Sequence, residues 1–264
     1  MIEAVRIPLE KRGRFSACVS SQVGCALACS FCATGRLGLR RNLETWEIVE
    51  QVRAIRRTLA PGERVHGVVF QGMGEPLANL DRVLEAIEVM SDPSALAIDQ
   101  RAMTVSTSGL PSGIRRLAEE APRVRLALSI GSARPEVRRS LMPIERSHPL
   151  EEVLEAVKEH ARATDLAPLW AVTPLAGVND GDEDARAIAK LALDFTASTG
   201  IRPRISVIPY NRIDDDEGDP FRRSADERAA RFRDAMRAEG VFTHLRYSGG
   251  GDVDAACGQL AARG

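Results

Sequence analysis

Short runs rich in Val, Ile and Leu alternate along this sequence with stretches whose apolar residues recur every three or four positions. That alternation leaves few folds open. VHGVVFQG (65–72), AMTVSTSG (102–109), VRLALSI (124–130), PLWAVTP (168–174), RISVIPY (204–210) and VFTHLRYS (241–248) read as buried strands. Residues 46–59 place Ile48, Val49, Val52 and Ile55 at helical spacing, and 80–90, 150–161, 184–195 and 225–239 behave alike. Strand then helix, repeated, means parallel strands joined by right-handed crossovers. The class is α/β, compatible with a full or partial TIM-type barrel or an open doubly wound sheet. In each of these a ligand sits at the carboxyl ends of the strands. The Gly- and Ser-rich strand tails QGMGEP, STSG and SIGSA are therefore expected to line one site. Residues 211–224 read as a loop, too short for a domain linker, and 1–264 as a single domain.

Five cysteines, Cys18, Cys25, Cys29, Cys32 and Cys257, set the chemistry. The N-terminal MIEAVRIPLEKRGRF mixes charge into every few positions and has no secretory apolar core, and no apolar run approaches the roughly 18 residues of a membrane span. A cytoplasmic chain with no membrane association is expected. An odd cysteine count there points to metal binding or catalysis rather than a disulfide framework. The net charge of −1 argues against a polyanion coating and leaves room for a local basic face. Cys25, Cys29 and Cys32 form a C-x3-C-x2-C array. Zinc favours two ligand pairs, and neither a second pair nor a nearby histidine exists, since His66, His148, His160 and His244 are scattered. Three thiolates in a tight loop suit a [4Fe–4S] cluster, which normally takes four cysteines, so one iron stays open.

C-x3-C-x2-C with an aromatic before its last cysteine resembles the signature of radical S-adenosylmethionine (SAM) enzymes. The longer strings CVSSQVGCALACSFCATG (18–35) and DVDAACGQL (252–260) narrow the resemblance to the radical-SAM methyltransferases of ribosomal and transfer RNA, which modify carbon 2 or carbon 8 of adenosine. The likeness runs from Glu3 through the rest of the chain. It implies a partial (βα)6 TIM-type barrel, with the cluster loop at 18–35 and a catalytic cysteine segment at 249–260. It implies that Cys25, Cys29 and Cys32 hold the cluster, that SAM chelates the open iron, and that Gly74, Glu75, Ser106, Ser129, Ile130, Gly131 and Asn179 contact SAM. By the same resemblance one SAM methylates Cys257. A second, cleaved at the cluster, yields a 5′-deoxyadenosyl radical that takes hydrogen from the S-methyl group. The carbon then adds to adenine, Glu3 accepts the ring proton, and Cys18 resolves the adduct through a transient disulfide with Cys257. The detour is needed because an adenine carbon is too weak a nucleophile for direct transfer, whereas a thiolate is not.

Two departures bear on substrate. Members of that family carry a further N-terminal helical domain associated with RNA recognition, and with Glu3 almost first that module is expected to be missing. They also usually have Ser-Leu-His where this chain has Ser129-Ile130-Gly131, so one SAM-side hydrogen bond is expected to be lost. RNA contact is then expected from the barrel itself: Arg36, Arg40 and Arg41 follow the cluster loop, while Arg53, Arg56 and Arg57 read as a solvated helix face. Gly249–Gly251 read as a flexible lead-in to Cys257, flanked by Asp252 and Asp254. An electron donor such as a flavodoxin-type protein and a monomeric state complete the expectation, with a small purine-containing substrate as the alternative to RNA.

Overall fold

The computed structural model describes residues 2–213, 218–246 and 257–260. Its strands are β1 (Val5–Pro8), β2 (Arg14–Val19), β3 (Gln22–Gly24), β4 (Leu39–Asn42), β5 (Arg64–Phe70), β6 (Met103–Thr107), β7 (Arg125–Ser129), β8 (Leu169–Val172), β9 (Arg204–Val207) and β10 (Thr243–Leu245). The helices are α1 (Ala33–Arg36), α2 (Thr45–Arg57), α3 (Leu80–Ser91), α4 (Pro111–Glu120), α5 (Pro135–Leu141), α6 (Leu150–Thr164), α7 (Asp182–Thr199) and α8 (Asp226–Ala238). Eight strands form one sheet in the order β1-β2-β5-β6-β7-β8-β9-β10, parallel throughout except for β1, which runs antiparallel to β2. Six strand–helix units (β2 with α2, β5 with α3, β6 with α4, β7 with α6, β8 with α7, β9 with α8) precede β10. This is the expected partial (βα)6 barrel, and all six runs read as strands are present. The units are offset by one, because β2 is a parallel strand that the sequence reading passed over.

The register shows why the sheet curls around a site. Val68, Met103, Val105, Leu126, Leu128, Trp170, Val172, Ile205 and Val207 are wholly buried, and all belong to the core shared with the helices. Each such side chain contributes about 1.5–3 kcal/mol by leaving water. The intervening residues point to the opposite, concave face, since side chains alternate along a strand. There the pairing lines up small or polar residues: Cys18 beside Val69, Ser106 beside Ala127, Ser129 beside Ala171, and Ala171 beside Ser206. Bulk on one face and little on the other leaves the inside of the half-barrel open.

A separate hairpin, β3 with β4, pinches off the cysteine loop, and the Cys25 N–H donates to the Gly38 carbonyl at 3.1 Å. A second, smaller core of Leu141, Met142, Ile144, Leu175 and Tyr210 roofs that loop through Leu27, Cys29 and Phe31. The loop read at 211–224 contains no helix or strand among its described residues beyond a bridge from Arg223 to Leu175.

Gly131, the position at which the family resemblance leads one to expect histidine, has φ +68°, and a Cβ there would sit 2.5 Å from the Met142 sulfur. The turn is built for glycine, so the difference is more than a missing imidazole. Gly131→His should therefore destabilise the chain by about 2–4 kcal/mol in urea unfolding, from left-handed strain plus overpacking against Met142. An unchanged midpoint would show that the turn tolerates a side chain.

Candidate active site

The three clustered cysteines occupy the loop between β3 and α1, with Cys32 as the residue preceding α1. The Cys32 N–H donates to the Cys29 carbonyl at 3.2 Å. Gly35 lets α1 lie directly on that turn, since a Cβ would come within 2.8 Å of the Cys29 carbonyl oxygen. Burial pushes the Cys25 thiol up to about 11 and Cys29 up to about 12, and the neighbouring cysteines add to both. Two donors act the other way: the Leu27 N–H on the Cys25 sulfur and the Ser108 hydroxyl on the Cys29 sulfur. Cys25 is buried and Cys29 and Cys32 partly exposed. Soft donors with hydrogen bonds aimed at two of their sulfurs suit an iron–sulfur cluster, because its positive irons ionise the thiols and the N–H and O–H groups steady the charge. Among the described residues no three His, Cys, Asp or Glu converge on a single-ion site. In a cubane each thiolate binds its own iron and no such convergence is needed. The donor set fits the group.

Glu75 lies at the same end of the sheet, 3% exposed. Its carboxylate accepts from the Ser108 N–H at 2.9 Å and the Leu77 N–H at 3.1 Å, and its own N–H donates to the Gln22 side chain. Burial raises its pKa to about 7 despite those donors, and it is in electrostatic contact with Cys25 and Cys29. A carboxylate so placed gains most from a cationic ligand. Gly74 precedes it, half-buried, and Ser106 and Ser129 stand on the concave face. Ile130 and Asn179 are engaged by the protein. The Ile130 side chain is in the core, its N–H donates to the Ala171 carbonyl, and its carbonyl accepts from Arg138. The Asn179 amide donates to the Gly131 and Thr173 carbonyls and accepts from the Leu175 N–H. Their polar groups tie strand-end loops together.

Cys18 and Cys257, remote in sequence, lie near enough to interact electrostatically. The segment 257–260 lies on the cluster loop: the Ala33 N–H donates to the Gly258 carbonyl at 2.8 Å, and the Thr34 hydroxyl donates to the Leu260 carbonyl. Asn211 donates to the Cys257 carbonyl and Gln259 to the Arg212 carbonyl, so the loop after β9 holds the other side. Cys257 is thereby in electrostatic contact with both Cys18 and Cys32, and all of these cysteines are free. Burial pushes the Cys18 thiol up to about 12, reinforced by Cys257, and raises Cys257 as well. Gly249–Gly251, Asp252 and Asp254 lie outside the described residues.

Glu3 arrives from the other edge. Because β1 runs antiparallel to β2, with Val5 beside Cys18, the residues before Val5 sit at the carboxyl end of the parallel strands. The Glu3 carbonyl accepts from the Ser20 hydroxyl at 2.6 Å.

Arg246, just after β10, was not singled out by the sequence. It reaches across the barrel opening to the Gln71 side chain at 3.4 Å, the Gln71 N–H bonds the Cys18 sulfur, and the guanidinium favours the thiolates of both Cys18 and Cys257. Thr107 and Ser108, which bond Glu75, were likewise passed over in favour of Ser106 in the same STSG string. Of the arginines weighed above, Arg41 pairs with Glu47, Arg36 with Asp219, Arg53 and Arg57 with Glu50, and Arg56 donates to the Leu96 carbonyl. Arg40, exposed on β4, has no carboxylate partner among the described residues. With Cys18 held as a thiol, iodoacetamide should alkylate it in the folded protein at least about ten times more slowly than in urea, and Arg246→Met should slow it further. Peptide mapping by mass spectrometry reads this, and faster labelling in the variant would remove Arg246 from the account.

Comparison with known proteins gives the family. Residues 19–192 match the Radical SAM superfamily. A probable RNA methyltransferase of Sorangium cellulosum is 64% identical, the match covering 98% of this chain and 70% of that one. The dual-specificity RNA methyltransferase RlmN of Syntrophobacter fumaroxidans is 43% identical, over 99% and 73%. The crystal structure of a radical SAM methyltransferase from Sphaerobacter thermophilus superposes with a TM-score of 0.89 at 37% identity, over 98% of this chain and 73% of that one. Membership of the superfamily carries a [4Fe–4S] cluster and SAM as cofactors. The chain is a methyltransferase of the radical SAM superfamily and belongs to the family of the RlmN-type RNA methyltransferases.

Proposed function

We propose that this chain methylates an adenine carbon in RNA, ribosomal or transfer, by way of an S-methyl group on Cys257. The convergence of Cys18 and Cys257 beside the cluster loop carries this reading, since a cluster-binding protein without transfer chemistry has no use for two further thiols there. A [4Fe–4S] cluster on Cys25, Cys29 and Cys32, with SAM at its open iron, supplies the one-electron cleavage that makes a hydrogen-abstracting species. Glu75 holds the SAM amino group, with Gly74 leaving room for it and Ser106, Ser129 and the Ile130–Gly131 and Asn179 loops shaping the pocket. Cys257, ionised with the help of Arg246, takes a methyl group and later joins that carbon to the base. Glu3, anchored at the mouth through Ser20, takes the ring proton. Cys18 then attacks the Cys257 sulfur, and an S–S bond forms as the S–C bond to the base breaks. The electron pair of that bond stays on the carbon, which takes a proton to become the methyl group, and the disulfide is reduced by an external thiol before the next turnover. A base inside structured RNA must unstack to reach this site, and Arg40 is placed to neutralise a phosphate.

The whole of 1–264 works as one catalytic unit in this reading, as a monomer, with a flavodoxin-type protein as electron donor. The cytoplasm suits it, because free thiols persist there, and no helix among the described residues is long and apolar enough to cross a membrane.

Anaerobically reconstituted protein given SAM and a reductant should carry a methyl group on Cys257 and label RNA lacking the modification. Cys257→Ala should abolish transfer, and Cys18→Ala should accumulate a covalent RNA–protein adduct visible on denaturing gels. Turnover by Cys257→Ala, or free methylated RNA from Cys18→Ala, would refute the respective role. Labelling of a free purine nucleotide with RNA untouched would move the substrate to small molecules.

A further inference from the structure

Arg138, on α5, is wholly buried and paired with Glu145, which is 3% exposed. A buried ion pair is a poor source of stability, since desolvating two charges offsets their attraction. Its other bonds show what the guanidinium does instead. Its Nε donates to the Ile130 carbonyl at 3.0 Å, beyond β7, and its Nη2 donates to the Ser108 carbonyl at 2.8 Å, beyond β6. Ser108 in turn directs its N–H at Glu75 and its hydroxyl at the Cys29 sulfur. One rigid planar fork thus fixes the backbone of a residue whose N–H reaches the carboxylate and whose hydroxyl reaches a cluster thiol, while spacing two adjacent strand ends.

We infer that Arg138 is a positioning residue for SAM: through Ser108 it sets Glu75 against the cluster loop, so that the acid and the open iron meet one ligand. The inference rests on the reading of Glu75 as the acceptor for the SAM amino group. Lysine at this position keeps the charge opposite Glu145 but offers a point ammonium in place of the fork, so it cannot hold both carbonyls in the same geometry.

Arg138→Lys, reconstituted with iron and sulfide, should keep its iron content and its thermal midpoint yet bind SAM about ten-fold more weakly in equilibrium dialysis, the effect of losing one charge-assisted hydrogen bond. Unchanged affinity would overturn the inference. If midpoint and affinity fall together, the charge-free pair Arg138→Met with Glu145→Gln decides: recovery of the midpoint alone supports positioning, and recovery of both makes Arg138 merely structural. A Glu75→Gln control that binds SAM as tightly as the parent would instead defeat the assignment of Glu75, so the same dialysis separates the two failures.

Discussion

Everything at this site depends on the way bulk is divided across a parallel sheet. Large aliphatic and aromatic side chains take one face and bind it to the helices, while Cys18, Ser106, Ala127, Ser129 and Ala171 take the other. Close packing on the outside and small residues within make a curled sheet with a hollow side, whose mouth lies where the strands end. The strand-end loops then have a surface to converge on, and the cysteine hairpin closes over it.

Within that hollow the dominant physical problem is charge. Burial disfavours the ionised form of Cys18, Cys25, Cys29 and Cys257, and it disfavours the Glu75 carboxylate too. The protein answers with directed dipoles and a few cations: N–H groups of Leu27 and Gln71, the Ser108 hydroxyl, and the guanidinium of Arg246. These compensate only in part, which leaves a site tuned to receive positive charge from outside. A sulfonium carrying an ammonium and a set of ferric and ferrous ions is a suitable complement.

Strand and helix periodicity made the outer architecture legible. It failed where local composition was ambiguous: Arg14–Val19 mixes Arg, Ser and Cys with its apolar residues, and α4, absent from the helices read in the sequence, opens with Pro111 and Gly113, although proline favours the first helical turn. Ile114, Leu117 and Ala118 carried the missed signal at helical spacing. The cysteine array was legible because its spacing is local. Arg246 and Arg138 were not, because each acts on groups distant in sequence, and a single arginine among thirty-six basic residues has no pattern to mark it. Arg41, named for RNA contact because it follows the cluster loop, also has a partner within the chain that its sequence position did not mark, Glu47 in the capping box of α2.

The reversed direction of β1 has an effect on whole-chain geometry. Paired with β2 alone and running against it, β1 turns the path around, so that Ile2 and Glu3 are delivered to the rim where the parallel strands finish. Any module joined ahead of Ile2 would be tethered at the entrance instead of on the far side of the barrel. A tether of a few residues there raises the effective concentration of such a module over the pocket, so a nucleic acid held by it would be presented to the thiols in cis.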